Sequence, residues 1–178
     1  DLVPADEFEL SSGRQLRRLQ ELVTEGAYRE GVAAEFAAFW IERSLEMTAL
    51  VDRAESLGTS LREKTVTRCL CHSDIHAANV FVGDDGQITL VDWDSPIRAP
   101  RERDLIFVIG SDIARKVEPH EEEWFFRGYG EVEVDWMALA YYRMERTTED
   151  LAEWGRCVFL TDMSEAAKAA EARFALAA

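Results

Sequence analysis

Basic residues are scarce in this chain. Its 178 residues hold 20 Lys and Arg against 35 Asp and Glu, a formal net charge of −15. Nucleic-acid phosphates attract basic surfaces, so this balance argues against a nucleic-acid partner and leaves room for a cationic small molecule. Long apolar runs are missing too. Nothing approaches the ~20 residues of a membrane span, so no membrane association is expected. The N-terminal Asp-Leu-Val-Pro is acidic and lacks the apolar core of a secretory signal. Cysteine is sparse: Cys69, Cys71 and Cys157 cannot all pair, which points to reduced thiols in a cytoplasmic protein. There are no internal repeats and no low-complexity tract beyond an Ala-rich tail. What is present suffices for one domain with a full core, at an ordinary 47% hydrophobic content.

The informative stretch is residues 70–94, LCHSDIHAANVFVGDDGQITLVDWD. A short apolar piece, Cys69-Leu70-Cys71, leads into a polar loop from His72 to Ala78. Asn79–Val82 and Gln87–Val91 read as two strands joined by Gly83-Asp84-Asp85-Gly86, whose Gly and Asp tolerate left-handed turn conformations. A turn centred on Asp84-Asp85 sets Asn79 opposite Leu90 and puts Asn79 and Asp92 at the open end of the hairpin. Asp74 lies just before that end. Two carboxylates and an amide oxygen around one point suit Mg²⁺, which is usually held by one or two carboxylates plus substrate phosphates. Asp-x-x-x-x-Asn, then a hairpin and another Asp, is the phosphotransfer arrangement of the kinase fold. In that reading Asp74 orients or deprotonates an acceptor hydroxyl, and Asn79 and Asp92 hold the metal beside the phosphates of ATP. His72 is expected to brace the loop through backbone hydrogen bonds. His76 is expected to be a site wall or a phosphate contact, and Asp94 a supporting group or a cap.

His72-x-Asp74-x-His76-x-x-Asn79, followed by Val91-Asp92-Trp93-Asp94, resembles the aminoglycoside phosphotransferase family of small-molecule kinases. Asp92–Pro96, Ala99–Leu105, Gly128–Glu131 and Ala140–Arg143 look nearest to its spectinomycin-phosphorylating branch. The resemblance covers most of residues 65–160. It implies ATP-dependent transfer of a phosphoryl group to a hydroxyl of an aminoglycoside or aminocyclitol, an activity of the antibiotic-resistance type. The fold implied is a mostly α C-terminal lobe of a kinase-like fold with a small β-hairpin. No Gly-rich loop and no strand-borne Lys is found, and Lys64, Lys116 and Lys168 are the only lysines. The nucleotide lobe is therefore expected to be absent, residues 1–64 to be helical, and the isolated lobe to be a poor kinase.

Residues 1–13 read as a linker leading into a lobe over 14–178. Residues 14–25 and 28–57 have helical patterns, the second carrying Phe36, Phe39 and Trp40 and stopped by Gly58. Those three aromatics are candidates for self-association through the face lacking the nucleotide lobe. Pro96–Pro100 reads as a loop. Asp104 either caps the following run or braces the catalytic loop from behind. A third helix opens at Pro119, a fourth at Asp135 to about Glu145, a fifth at Thr147 or Thr148 to about Phe159, and a last at Ser164. Helices after Asp104 would build the acceptor pocket, with Glu145 or Glu149 as acidic groups. Three other readings stay open: a non-catalytic binding or interaction domain descended from such a kinase, a kinase for another alcohol, and a Zn²⁺ hydrolase using His72, Asp74 and His76.

Overall fold

Three- and four-residue spacings of apolar side chains dominate the chain, and helices follow. A computed structural model describes residues 2–26, 28, 30–113 and 115–177. The helices are α1 (Ser11–Thr24), α2 (Gly31–Glu42), α3 (Ser44–Arg62), α4 (Glu102–Leu105), α5 (Pro119–Tyr129), α6 (Trp136–Leu160) and α7 (Glu165–Ala177). The strands are β1 (Cys69–Cys71), β2 (Val80–Val82), β3 (Ile88–Leu90) and β4 (Ile97–Ala99). They form two antiparallel two-stranded sheets, β1 with β4 and β2 with β3. No helix among the described residues is long and apolar enough to cross a membrane.

The chain divides into two compact units, one of residues 1–8 and 60–143, the other of residues 9–59 and 144–178. The second has a core of Leu16, Leu19, Val23, Phe36, Trp40, Met47, Val51 and Ala54 with Val158, Phe159 and Ala172. Phe36 and Trp40 are each 1% exposed, and Phe39 is half-buried against the same cluster. Phe36 and Trp40, expected as candidates for self-association, are instead spent on the core.

The helix expected over 28–57 is two helices. Arg43 closes α2, and α3 begins at once. Phe36 and Trp40 on α2 and Met47, Val51 and Ala54 on α3 share one cluster. Gly58 does not stop α3, because Leu61, 0% exposed, extends the apolar stripe beyond it. The helices expected on either side of Thr147 are likewise one, α6. Thr148 donates its hydroxyl to the Met144 carbonyl at 2.6 Å, and this local satisfaction lets a Thr stay inside a helix. Expected starts hold elsewhere. Asp135 accepts from Met137 N at 2.9 Å, Ser164 accepts from Ala167 N at 3.3 Å, and Glu118 and Glu121 close a capping box at α5.

The first unit positions the loop. Residues 97–99, expected as loop, form β4, with Cys69 opposite Ala99 and Cys71 opposite Ile97. The β2–β3 register is one residue from that expected: Val80 faces Leu90 and Val82 faces Ile88. The reason lies in the turn. Gly86 N donates to Gly83 O at 2.9 Å and Gly83 N to Gln87 O at 2.8 Å, while Gly86 takes φ +77°. This is a three-residue loop with its left-handed bulge at glycine, and it shifts the pairing by one relative to a two-residue turn. Residues 2–8 pack in: Asp6 and Phe8 are buried, and Ala5 bridges to Arg98.

Candidate active site

The loop from His72 to Asn79 joins β1 to β2, and its backbone is tied down from three sides. Behind it, the Asp104 carboxylate accepts from His72 N at 2.9 Å and from Ser73 N at 2.8 Å. Of the two readings of Asp104, the loop brace is the one observed. Ser73 has φ 76°, a left-handed conformation that a non-glycine residue adopts only when its surroundings compel it. Arg103 Nε donates to Ser73 Oγ at 3.0 Å and helps hold it. Arg103 in turn lies 3.6 Å from the buried Asp6 carboxylate, which accepts from Tyr142 OH at 2.8 Å.

His72, 2% exposed, ties loop to hairpin. Asp74 N lies 3.3 Å from its Nδ1, and its Nε2 lies 2.8 Å from the Val91 carbonyl. A carbonyl only accepts and an amide N–H only donates. The ring therefore accepts at Nδ1 and carries its hydrogen at Nε2. Trp93 covers the ring at a centroid distance of 4.5 Å and donates its indole N–H to Leu90 O at 3.1 Å. His72 is thus the expected brace, and Trp93, Arg103 and Asp6 are supports that the sequence reading missed. Of these, only Trp93 stands within the motif, between Asp92 and Asp94.

The loop also closes on itself. Asn79, in a 3-10 turn from Ala77 to Asn79, donates from Nδ2 to the Asp74 carbonyl at 2.9 Å. That spends the amide nitrogen and leaves the amide oxygen as the atom suited to a cation. His76 caps the same turn, accepting from Ala78 N at 3.2 Å, so its other nitrogen bears the hydrogen and lies 3.6 Å from Asp74 Oδ2. His76 thereby flanks the Asp74 carboxylate, which is 36% exposed. Val91 N donates to Asn79 O at 3.1 Å, which brings Asp92 to the residue after Asn79's partner. Asp92 is exposed with φ 66°, a second strained backbone, and Asp94 is exposed two residues on.

Asn79 Oδ1 and the Asp92 carboxylate are oxygen donors of the kind that could hold Mg²⁺ together with phosphates. Among the described residues no three His, Cys, Asp or Glu side chains are grouped to hold an ion by themselves. Both nitrogens of His72 are committed to the backbone, which removes the basis of the Zn²⁺ reading. Beside Ile75 and Ala77 runs a cleft walled by Phe107, Val108, Ile113, Val117 and Phe125, with Arg115 and Glu121. Arg115 grips Glu121 at 2.8 and 2.9 Å. Together with the Glu118 N–H, that pair holds the Glu121 carboxyl well below its usual range, at about 2. The acidic group of this cleft is therefore Glu121; Glu145 and Glu149 belong to the other unit.

Two solved structures resemble the chain. Spectinomycin phosphotransferase APH(9)-Ia in complex with ADP and spectinomycin matches at 31% identity and a TM-score of 0.83, over 97% of this chain and 53% of that one. The AMP-bound complex of the same enzyme matches at 32% identity and a TM-score of 0.82, over 97% and 54%. The chain thus spans about half the length of these relatives. No curated protein matches it. The family model for the phosphotransferase enzyme family APH matches residues 2–142, the stretch that holds the braced loop, the hairpin and the cleft. With a mostly helical lobe of kinase-like fold built around that loop, the chain belongs to the APH phosphotransferase enzyme family.

Proposed function

We propose that this chain is the catalytic lobe of an ATP-dependent O-phosphotransferase whose acceptor is a hydroxyl of a cationic aminocyclitol of the spectinomycin kind. The carrying observation is Asp74: a half-exposed carboxylate on a loop locked by Asp104 and His72, beside Asn79 and the hairpin end that bears Asp92. Asp74 accepts the hydroxyl's hydrogen bond and orients its oxygen toward the γ-phosphate; in a loose transition state this positioning matters more than proton removal. Asn79 Oδ1 and the Asp92 carboxylate would hold Mg²⁺, with Asp94 supporting. When bound, that ion neutralises charge on the phosphates. His76 steadies the Asp74 carboxylate. The cleft beside Ile75 gives the acceptor an apolar wall, and the net charge of −15 favours a cation nearby. Three free thiols suit a cytoplasmic setting, where ATP is available.

Lys64, Lys116 and Lys168 all lie outside strands, so the phosphate-pairing Lys of a nucleotide lobe has no counterpart among them. Turnover by this lobe alone should be slow. The test is a single-turnover assay at high protein concentration with Mg-ATP and spectinomycin, reading phosphorylated product by mass. Product from the unaltered chain, reduced at least about a hundredfold in Asp74→Asn, supports the reading. Equal product from a folded Asp74→Asn protein overturns the role of Asp74.

A further inference from the structure

Two thiols lie side by side at the root of the catalytic loop. Cys69 and Cys71 occupy alternate positions of β1, which puts both side chains on one face of the strand. Their sulfurs are 3.8 Å apart. That is too far for a disulfide, whose sulfurs sit ~2.05 Å apart. It is the separation that two thiolates adopt on one tetrahedral ion, since Zn–S bonds of ~2.3 Å at the tetrahedral angle set the sulfurs ~3.8 Å apart.

The surroundings favour a cation as well. The Ala99 carbonyl lies 3.6 Å from each sulfur, and the Pro100 carbonyl lies 3.5 Å from Cys71 Sγ. Burial, then the charge of Asp104 and the neighbouring Cys69, push the Cys71 thiol up, so without an ion it stays protonated. The two carbonyl oxygens are additional donors at hand for a cation held between the sulfurs. Cys71 is 1% exposed whereas Cys69 is exposed, so one sulfur anchors the ion and the other admits it.

We propose that Cys69 and Cys71 form a two-thiolate binding site for one thiophilic divalent cation of the zinc class, completed by water or a backbone carbonyl. Each thiol gives up its proton to solvent as its metal–sulfur bond forms, so loading releases two protons. The site is separate from the Mg²⁺ ligands and lies directly before His72. An occupied site would cross-link β1 where the loop begins.

The test uses the full chain, reduced, with Co²⁺ as probe and Zn²⁺ as competitor. A thiolate-to-cobalt charge-transfer band should rise to saturation at one Co²⁺ per chain and vanish on adding Zn²⁺. Below the thiols' titration range its apparent affinity should fall by up to ~100-fold per pH unit, as the release of two protons requires. The band should be lost in Cys69→Ser, a change at an exposed side chain that leaves the fold intact, and in Cys71→Ser. It should persist in Cys157→Ala. Should Cys71→Ser fail to fold by circular dichroism, Cys69→Ser decides alone. Absence of the band in the reduced chain, its persistence in Cys69→Ser, or its loss in a folded Cys157→Ala protein would each overturn the proposal.

Discussion

The role proposed for Asp74 requires a backbone that holds still, and His72 links that backbone to the segment after β3 that leads to Asp92. Replacing His72 by Ala removes both bonds at once and leaves Asp74 N and Val91 O without their partner. The expected cost is ~1–3 kcal/mol of stability. Metal-nucleotide affinity should fall with it, because the hairpin end loses its register to the loop. A thermal melt beside calorimetry with Mg-ATP reads both; a lowered melting temperature with unchanged affinity would confine His72 to stability. At this scale the sequence was legible where spacing sets local geometry: Asp74 and Asn79 share one loop, and Asp92 follows the strand that pairs back to Asn79. Arg103 and Asp6 could not be read, because their contacts join segments 30 to 136 residues apart through side chains of ordinary type.

Helix ends were legible where a side chain caps them, as Asp135, Glu118 and Ser164 do. They were misread where burial decides. The α2–α3 break carries no Gly or Pro, and Gly58, which looks like a stop, sits inside α3. Gly155 within α6 is the sharper case. By helix propensity Gly→Ala should stabilise an α-helix by ~1 kcal/mol. Here a Cβ would come within 2.7 Å of Trp40 Cη2 and 2.8 Å of Leu19 Cδ1, in a core without slack. Gly155→Ala is therefore expected to destabilise by ~1–3 kcal/mol, the usual cost of overpacking. Urea unfolding measures it, and a more stable variant would mean that Trp40 moves aside freely.

Across the whole molecule, 35 acidic against 20 basic residues make self-repulsion the leading long-range term. Raising ionic strength from ~0.01 M to ~0.15 M shortens the screening length from ~30 Å to ~8 Å. The melting temperature should rise over that range. A fall would mean that attractive pairs such as Arg17 with Asp52 and Glu55 outweigh the repulsion. The mostly helical lobe with its small hairpin was legible because helical periodicity and one turn motif dominate the chain. The β1–β4 pairing was not, since two three-residue strands separated by 25 residues leave no periodic trace.

The most direct test of the central claim, that loop and hairpin form one metal-nucleotide centre, is paramagnetic. Mn²⁺ replaces Mg²⁺ at oxygen sites and broadens the amide resonances of residues around it. In the presence of ATP, substoichiometric Mn²⁺ should broaden amides around Asp74, Asn79 and Asp92 first, and Asp92→Asn should abolish that pattern while leaving the fold intact. Broadening spread over the acidic surface, or unchanged in Asp92→Asn, would contradict the account.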